Sequence, residues 1–186
     1  MRSLAIVIVL IATCVGPSPA PAVDVQPDDY QRILIDEAMR CGATRNPDPF
    51  LLWRILELEV LAGLPKDLEG LTLAAACTES GFNHLAIGDC LKGGRCRARG
   101  ILQLWPWWTR YYGVDRWNPE HSAEAWIAHL VRQVPKTRRA CPRLRGLKIW
   151  RAAQVRSVRA PGPKRCRQRS YHWKRWKRWI AKVGRR

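Results

Sequence analysis

Residues 64–83 read "LPKDLEGLTLAAACTESGFN", and their pattern decides the fold. Pro65 and Asp67 supply a helix start, and Gly81 supplies the residue that can end it in a left-handed turn. Between them Leu71, Leu73, Ala74, Ala75 and Ala76 are apolar nearly all round the helix. A helix with no polar face belongs inside a protein rather than on its surface. One charged residue, Glu79, stands at its end. A carboxyl group there is predicted to lose part of its hydration, the setting in which a carboxylic acid can serve as a proton donor.

The flanking sequence is also helical. Asp28 to Met39 places Ile33, Leu34 and Ala38 at helical spacing. Asp48-Pro49 forms a cap and first-turn pair for "FLLWRILELEVLAG", which Gly63 can stop. Asn118-Pro119-Glu120 opens "HSAEAWIAHLVRQ", expected to end by Pro135. "LKIWRAAQVRSV" (residues 147–158) is a further helix, bounded by "PGP" at 161–163. No segment alternates as a strand should, apart from room for a short hairpin between residues 84 and 100. The fold class is therefore mainly α, a disulfide-braced helical domain closed by a basic amphipathic helix.

That last helix is "YHWKRWKRWIAKV". At about 100° per residue, Trp173, Trp176, Trp179, Ile180 and Val183 fall on one side and Lys174, Arg175, Lys177, Arg178 and Lys182 on the other. Charge along the chain is uneven. All 15 acids lie at or before Glu124, and residues 1–131 carry 12 of the 33 Lys and Arg. The remainder holds 21 basic residues and no acid, which points to a polyanionic partner.

The N-terminus has the form of an export signal: Arg2, an apolar run from Leu4 to Val15, and the small-x-small pattern Ala20-Pro21-Ala22. The run is shorter than the roughly 20 residues a membrane span needs. Cleavage after Ala22 is expected; the alternatives are "IATC", a loose lipobox that would make Cys14 a lipid attachment point, and an uncleaved N-terminal anchor. The predicted organisation is a signal at 1–22, a helical domain at 23–160 and a Trp-rich basic segment at 161–186, in an exported protein. Six cysteines remain after cleavage, as expected of disulfides formed in an oxidising compartment. Proximity favours Cys90 with Cys96 and leaves Cys41, Cys77, Cys141 and Cys166 unassigned. There is no CxxC or HExxH, so no metal or cofactor is expected.

The paired segments "LPKDLEGLTLAAACTESGFN" and "RARGILQLWP" resemble the hallmark of soluble lytic transglycosylases and goose-type lysozymes. In that family a Glu-Ser pair ends a buried helix, an Asn follows "GF", and "GLMQ" and a Pro come later. The matching residues are Glu79-Ser80, Gly81-Phe82-Asn83, Gly100-Ile101-Leu102-Gln103 and Pro106. "DRWNPEHSAEAWIAHLVRQ" is similar to the family's next helix, and the resemblance spans about residues 64–135. It implies a lysozyme-like fold and a single acid/base, Glu79, acting on the peptidoglycan bond between N-acetylmuramic acid and N-acetylglucosamine. It also implies a glycan groove with Ser80, Asn83 and Gln103, for which Ser80 and Gln103 have the alternative of capping and bracing the loop, and no cofactor. Where "GILQLW" departs from the family's tip, Trp105 is expected to help build the groove.

Several residues have two readings. The family's Ala-Tyr-Asn motif, whose Tyr reaches the acid, is missing; "WRAAQVRSVRAPG" lies in its place. Gly88 stands where a Ser is frequent. Asp89 could activate water in an inverting hydrolase or simply form the turn in "IGDC", and Asp115 reads as a turn or cap. Trp105, Trp107, Trp108, Tyr111 and Tyr112 divide between glycan platform and core. His84, His121, His129 and His172 show no ligand spacing and receive no role. For the basic end, the expected partner is the anionic envelope, with the Trp face entering its interface. The others are nucleic acid, the weaker expectation, and a solvated surface with Trp173 and Trp176 packed on the domain.

Overall fold

In the computed structural model, residues 28–41, 47–158, 166 and 171–183 are described. The proposed signal and Cys14 lie outside that range. The described residues form seven α-helices, one 3₁₀ turn and one two-stranded hairpin, a mainly helical fold.

Helix α1 (Asp29–Met39) opens on a reciprocal cap in which Gln31 N–H donates to Asp28 and Asp28 N–H donates to Gln31. Asp48 caps α2 (Pro49–Leu61) through Phe50 N–H. The next run is not one helix, as expected from Pro65, but a 3₁₀ turn (Lys66–Leu68) followed by α3 (Leu71–Ser80). The break is at Gly70, which takes φ 82° with Leu34 pressed against it; a Cβ there would meet Leu34 Cδ1 at 2.9 Å. The N–H groups that this break orphans donate to a side chain rather than to water. Gly70 N and Thr72 N each lie 2.6 Å from a carboxylate oxygen of Glu59 on α2. Glu59 is fully buried, and burial pushes its carboxyl up to about 7 against the pull of those hydrogen bonds.

Helix α3 runs through the core as its composition requires. Leu71, Leu73, Ala74, Ala75 and Ala76 have no exposed surface, and α1, α2, α5 and α7 all pack on the helix. The hairpin allowed for between 84 and 100 is present: β1 (Ile87–Cys90) pairs antiparallel with β2 (Cys96–Arg99), Cys90 opposite Cys96. Those two cysteines form a disulfide, and Cys41–Cys77 and Cys141–Cys166 form two more, in agreement with an oxidising compartment.

Helix α4 (Pro106–Tyr112) precedes α5 (Pro119–Ala140), which Asn118 caps through His121 N–H. Contrary to expectation, α5 does not stop at Pro135 but continues to Ala140. An interior proline removes one helical hydrogen bond and costs about 3 kcal/mol. Val134 before it and Thr137 after it are both buried and α6 (Leu147–Val158) packs alongside, so tertiary packing outweighs the local penalty.

The final helix, α7 (Tyr171–Val183), packs against α3 and α1. Trp173, Trp176 and Trp179 are buried in the common core, and Trp176 Nε1 donates to Glu69 O at 3.1 Å. The expected entry of this Trp face into an envelope interface is therefore corrected. Each buried Trp withdraws on the order of 150–250 Å² from water, and the domain itself already supplies that burial. The basic side remains outward, with Lys174, Lys177, Arg178 and Lys182 exposed. Among the described residues no helix is long and apolar enough to cross a membrane.

Candidate active site

Glu79 occupies the last turn of α3, and Gly81 ends the helix in the left-handed conformation with its N–H on Cys77 O. Phe82 follows at φ 65° and is buried, so the chain reverses immediately after the acid and anchors itself by an aromatic ring. The Glu79 side chain is 22 % exposed, neither sealed in the core nor fully in water.

Its Oε1 lies 2.6 Å from His172 Nε2 on α7, and His172 Nδ1 lies 2.6 Å from Gln154 Nε2 on α6. An amide nitrogen only donates. Gln154 therefore donates to Nδ1, the ring hydrogen sits on Nε2, and His172 donates to Glu79. His172 and Gln154 are both almost completely buried. Three helices thus converge on one carboxyl oxygen, and the packing of α6 and α7 aims it.

The residues expected around Glu79 brace its loop. Ser80 Oγ donates to Ile101 O at 2.9 Å, tying the end of α3 to the turn after the hairpin. Asn83 Oδ1 accepts from Leu85 N–H at 3.0 Å. Gln103, at φ 49°, donates from its amide nitrogen to Ala86 O at 3.2 Å and Gly100 O at 2.9 Å. That amide nitrogen is committed to the loop rather than to Glu79. The glycines complete the arrangement: a Cβ on Gly88 would come within 2.2 Å of Gln103 Oε1, and one on Gly100 within 1.9 Å of Arg116 O. The absence of a side chain at Gly88 leaves the space that the Gln103 side chain fills.

Trp105 is 37 % exposed and is held by Asp89, whose Oδ2 accepts its Nε1–H at 2.7 Å. Arg97 lies over its ring at 5.5 Å. Asp89, at φ 49°, lies within β1 rather than in the turn expected of it and makes a structural hydrogen bond, and Asp115 accepts from Trp117 N–H in the turn before α5. The remaining aromatics divide. Trp107, Trp108 and Tyr112 cluster around His129, which burial pushes down to about 4. Tyr111 is exposed.

A cleft of about 1120 Å³ opens beside the end of α3, lined by Ser80, Phe82, Asn83 and Leu85 on one side and by Phe50 and Arg54 of α2 on the other. Ser80 and Asn83 line it; Glu79, Gln103 and Trp105 are not among its lining residues, although Glu79 directly precedes Ser80. Arg54 is paired with Glu120 at 2.7 Å and with Glu57.

His172 and Gln154 were not found from sequence. A signal existed for the first: on the helical wheel His172 falls between Trp176 and Trp179, a polar residue set in an apolar face. Nothing comparable marks Gln154. Among the described residues no group of three His, Cys, Asp or Glu is placed to hold a metal ion.

No family model, no curated protein and no solved structure matches the chain.

Proposed function

We propose that the protein cleaves the glycan strands of peptidoglycan at the bond between N-acetylmuramic acid and N-acetylglucosamine, with Glu79 as the single acid/base of a lysozyme-like domain. The observation that carries this reading is Glu79 itself. It is a partly exposed carboxyl group at the end of a buried helix, aimed by a buried His172 and adjoining a cleft of about 1120 Å³.

The reaction that needs only one carboxyl group is the lytic transglycosylase reaction. Glu79 gives its proton to the glycosidic oxygen as the bond to C1 breaks. The resulting carboxylate then takes the proton of the muramyl 6-hydroxyl while that oxygen bonds to C1, leaving a 1,6-anhydro end and regenerating the acid. No water is consumed. Asp89 is committed to Trp105, which favours this course over an inverting hydrolysis that would need a second carboxylate. Ser80 and Asn83 present polar groups at the cleft, Trp105 offers an aromatic face for a sugar ring, and Gln103 keeps the intervening loop in place. His172 reaches the acid from another helix.

Glu79→Gln tests the reading. Turbid cell-wall suspensions should cease to clear, and the wild-type products should carry anhydro ends, one water lighter than reducing ends by mass spectrometry. Equal clearing by the variant would leave the rival reading, a noncatalytic cationic protein that binds the envelope through its basic surface. We assign that surface, chiefly the outward side of α7, to concentrating the enzyme on anionic envelope polymers.

A further inference from the structure

Arg95 and the second strand of the hairpin, β2, together read "RCRAR", residues 95–99. Strand alternation puts Arg95, Arg97 and Arg99 on one face, while Ala98 on the other is 1 % exposed. Arg116, from the turn before α5, reaches the same hairpin and donates from Nη1 to Arg97 O at 2.9 Å and Leu104 O at 3.0 Å. These four arginines line a pocket of about 460 Å³ with Leu91 and Pro106, and no acidic side chain lines it. None of the four is in an ion pair with a described residue.

Two of the guanidinium groups are held from behind. Arg97 lies 5.5 Å from the Trp105 ring centre and Arg99 lies 4.7 Å from that of Trp117. Stacking restrains an arginine side chain and leaves its N–H edge for an acceptor. The nearby carboxylates are engaged elsewhere, Asp89 with Trp105 Nε1 and Asp115 with Trp117 N–H. Burial, with Arg99 close by, lowers the affinity of Arg116 for its proton. Four positive charges have thus been gathered in a concave site whose lining holds no acid, with Asp115 near enough to act on Arg116 alone among them.

We propose that this pocket binds a sugar-borne phosphomonoester of the cell envelope. Such a group carries about two negative charges and three acceptor oxygens, and guanidinium forks engage phosphate oxygens in pairs. A carboxylate, or one phosphodiester of a passing nucleic acid strand, brings a single charge to a site built from four. Leu91 and Pro106 offer apolar contact to the sugar. The inference is independent of the chemistry at Glu79, because its readout is binding.

Titration calorimetry of the full chain, at fixed ionic strength, decides it. Glucosamine 1-phosphate should bind one to one and at least tenfold tighter than dimethyl phosphate or inorganic phosphate. The pair Arg97→Gln and Arg99→Gln should weaken binding at least tenfold. Arg97→Lys with Arg99→Lys should fall between, keeping the charges but losing the forks; should the glutamine pair not fold, the lysine pair decides. Lys174→Gln with Lys177→Gln on α7 should bind as the wild type does. Equal affinity for the monoester and dimethyl phosphate overturns the proposal. So does equal affinity for inorganic phosphate, retention of binding by the arginine variants, or tighter binding of a single-stranded oligonucleotide at the same arginines.

Discussion

His172 Nε2 sits 2.6 Å from Glu79 Oε1, across a separation of 93 residues. The contact joins the last turn of the most buried helix to the helix that closes the fold. It makes the geometry of one carboxyl group depend on the packing of the C-terminal segment. The basic helix therefore has two faces with separate tasks, an inner one that builds the site and an outer one that carries charge.

Replacing Glu79 by Gln keeps the shape of the side chain and removes its proton chemistry. General acid catalysis contributes about 10²–10⁴ in rate, so release of muropeptides should fall by that order while the melting temperature stays near that of the wild type. Clearing rates and thermal melts on the same preparations check both halves.

His172→Ala removes one buried hydrogen bond to Gln154 and should cost about 0.5–1.5 kcal/mol. Turnover should fall more than the apparent affinity for sacculi, because the change disturbs the aim of Glu79 and not the cleft. Gln154→Ala, at a residue outside the cleft lining, should shift the pH profile of turnover by freeing the imidazole to reorient. A kcat and KM unchanged in both variants would reduce His172 to a packing residue.

Glu59 should set a pH dependence of stability. Its folded carboxyl is pushed up to about 7 from an ordinary 4.5, so the folded state binds more protons than the unfolded chain in between. Stability from this group is full below pH 4.5 and is lost as the pH rises through 7, by about 3 kcal/mol in all. Denaturant titrations at several pH values should show that fall in the wild type. In Glu59→Gln, which cannot ionise, the slope should flatten, whatever the variant's absolute stability.

The two faces of α7 should separate by mutation. Trp176→Ala removes a buried ring and its bond to Glu69 O, and should cost about 3–5 kcal/mol. Lys174→Gln, Lys177→Gln and Arg178→Gln together should each change stability by no more than about 0.5 kcal/mol. The triple variant should weaken binding to anionic vesicles in a salt-sensitive way, read by co-sedimentation. Deleting the whole segment would confuse the two effects, since the Trp face belongs to the core.

The amino-acid sequence alone determined what depends on neighbours along the chain. Asp28, Asp48 and Asn118 mark helix starts because a side chain beside the first turn satisfies its orphan N–H groups. The apolar circuit from Leu71 to Ala76 marks a core helix, Gly81 its end, and six residues of separation the Cys90–Cys96 bridge. Tertiary structure decided what depends on distant surfaces meeting. It carried α5 through Pro135, paired Cys41 with Cys77 and Cys141 with Cys166, turned the tryptophans inward and brought His172 to Glu79. Local preferences are worth a few tenths to about 1 kcal/mol per residue, whereas burying a large apolar side chain is worth about 1.5–3 kcal/mol. Where the two disagree, packing prevails, and packing is a property of the folded chain rather than of any short stretch of it.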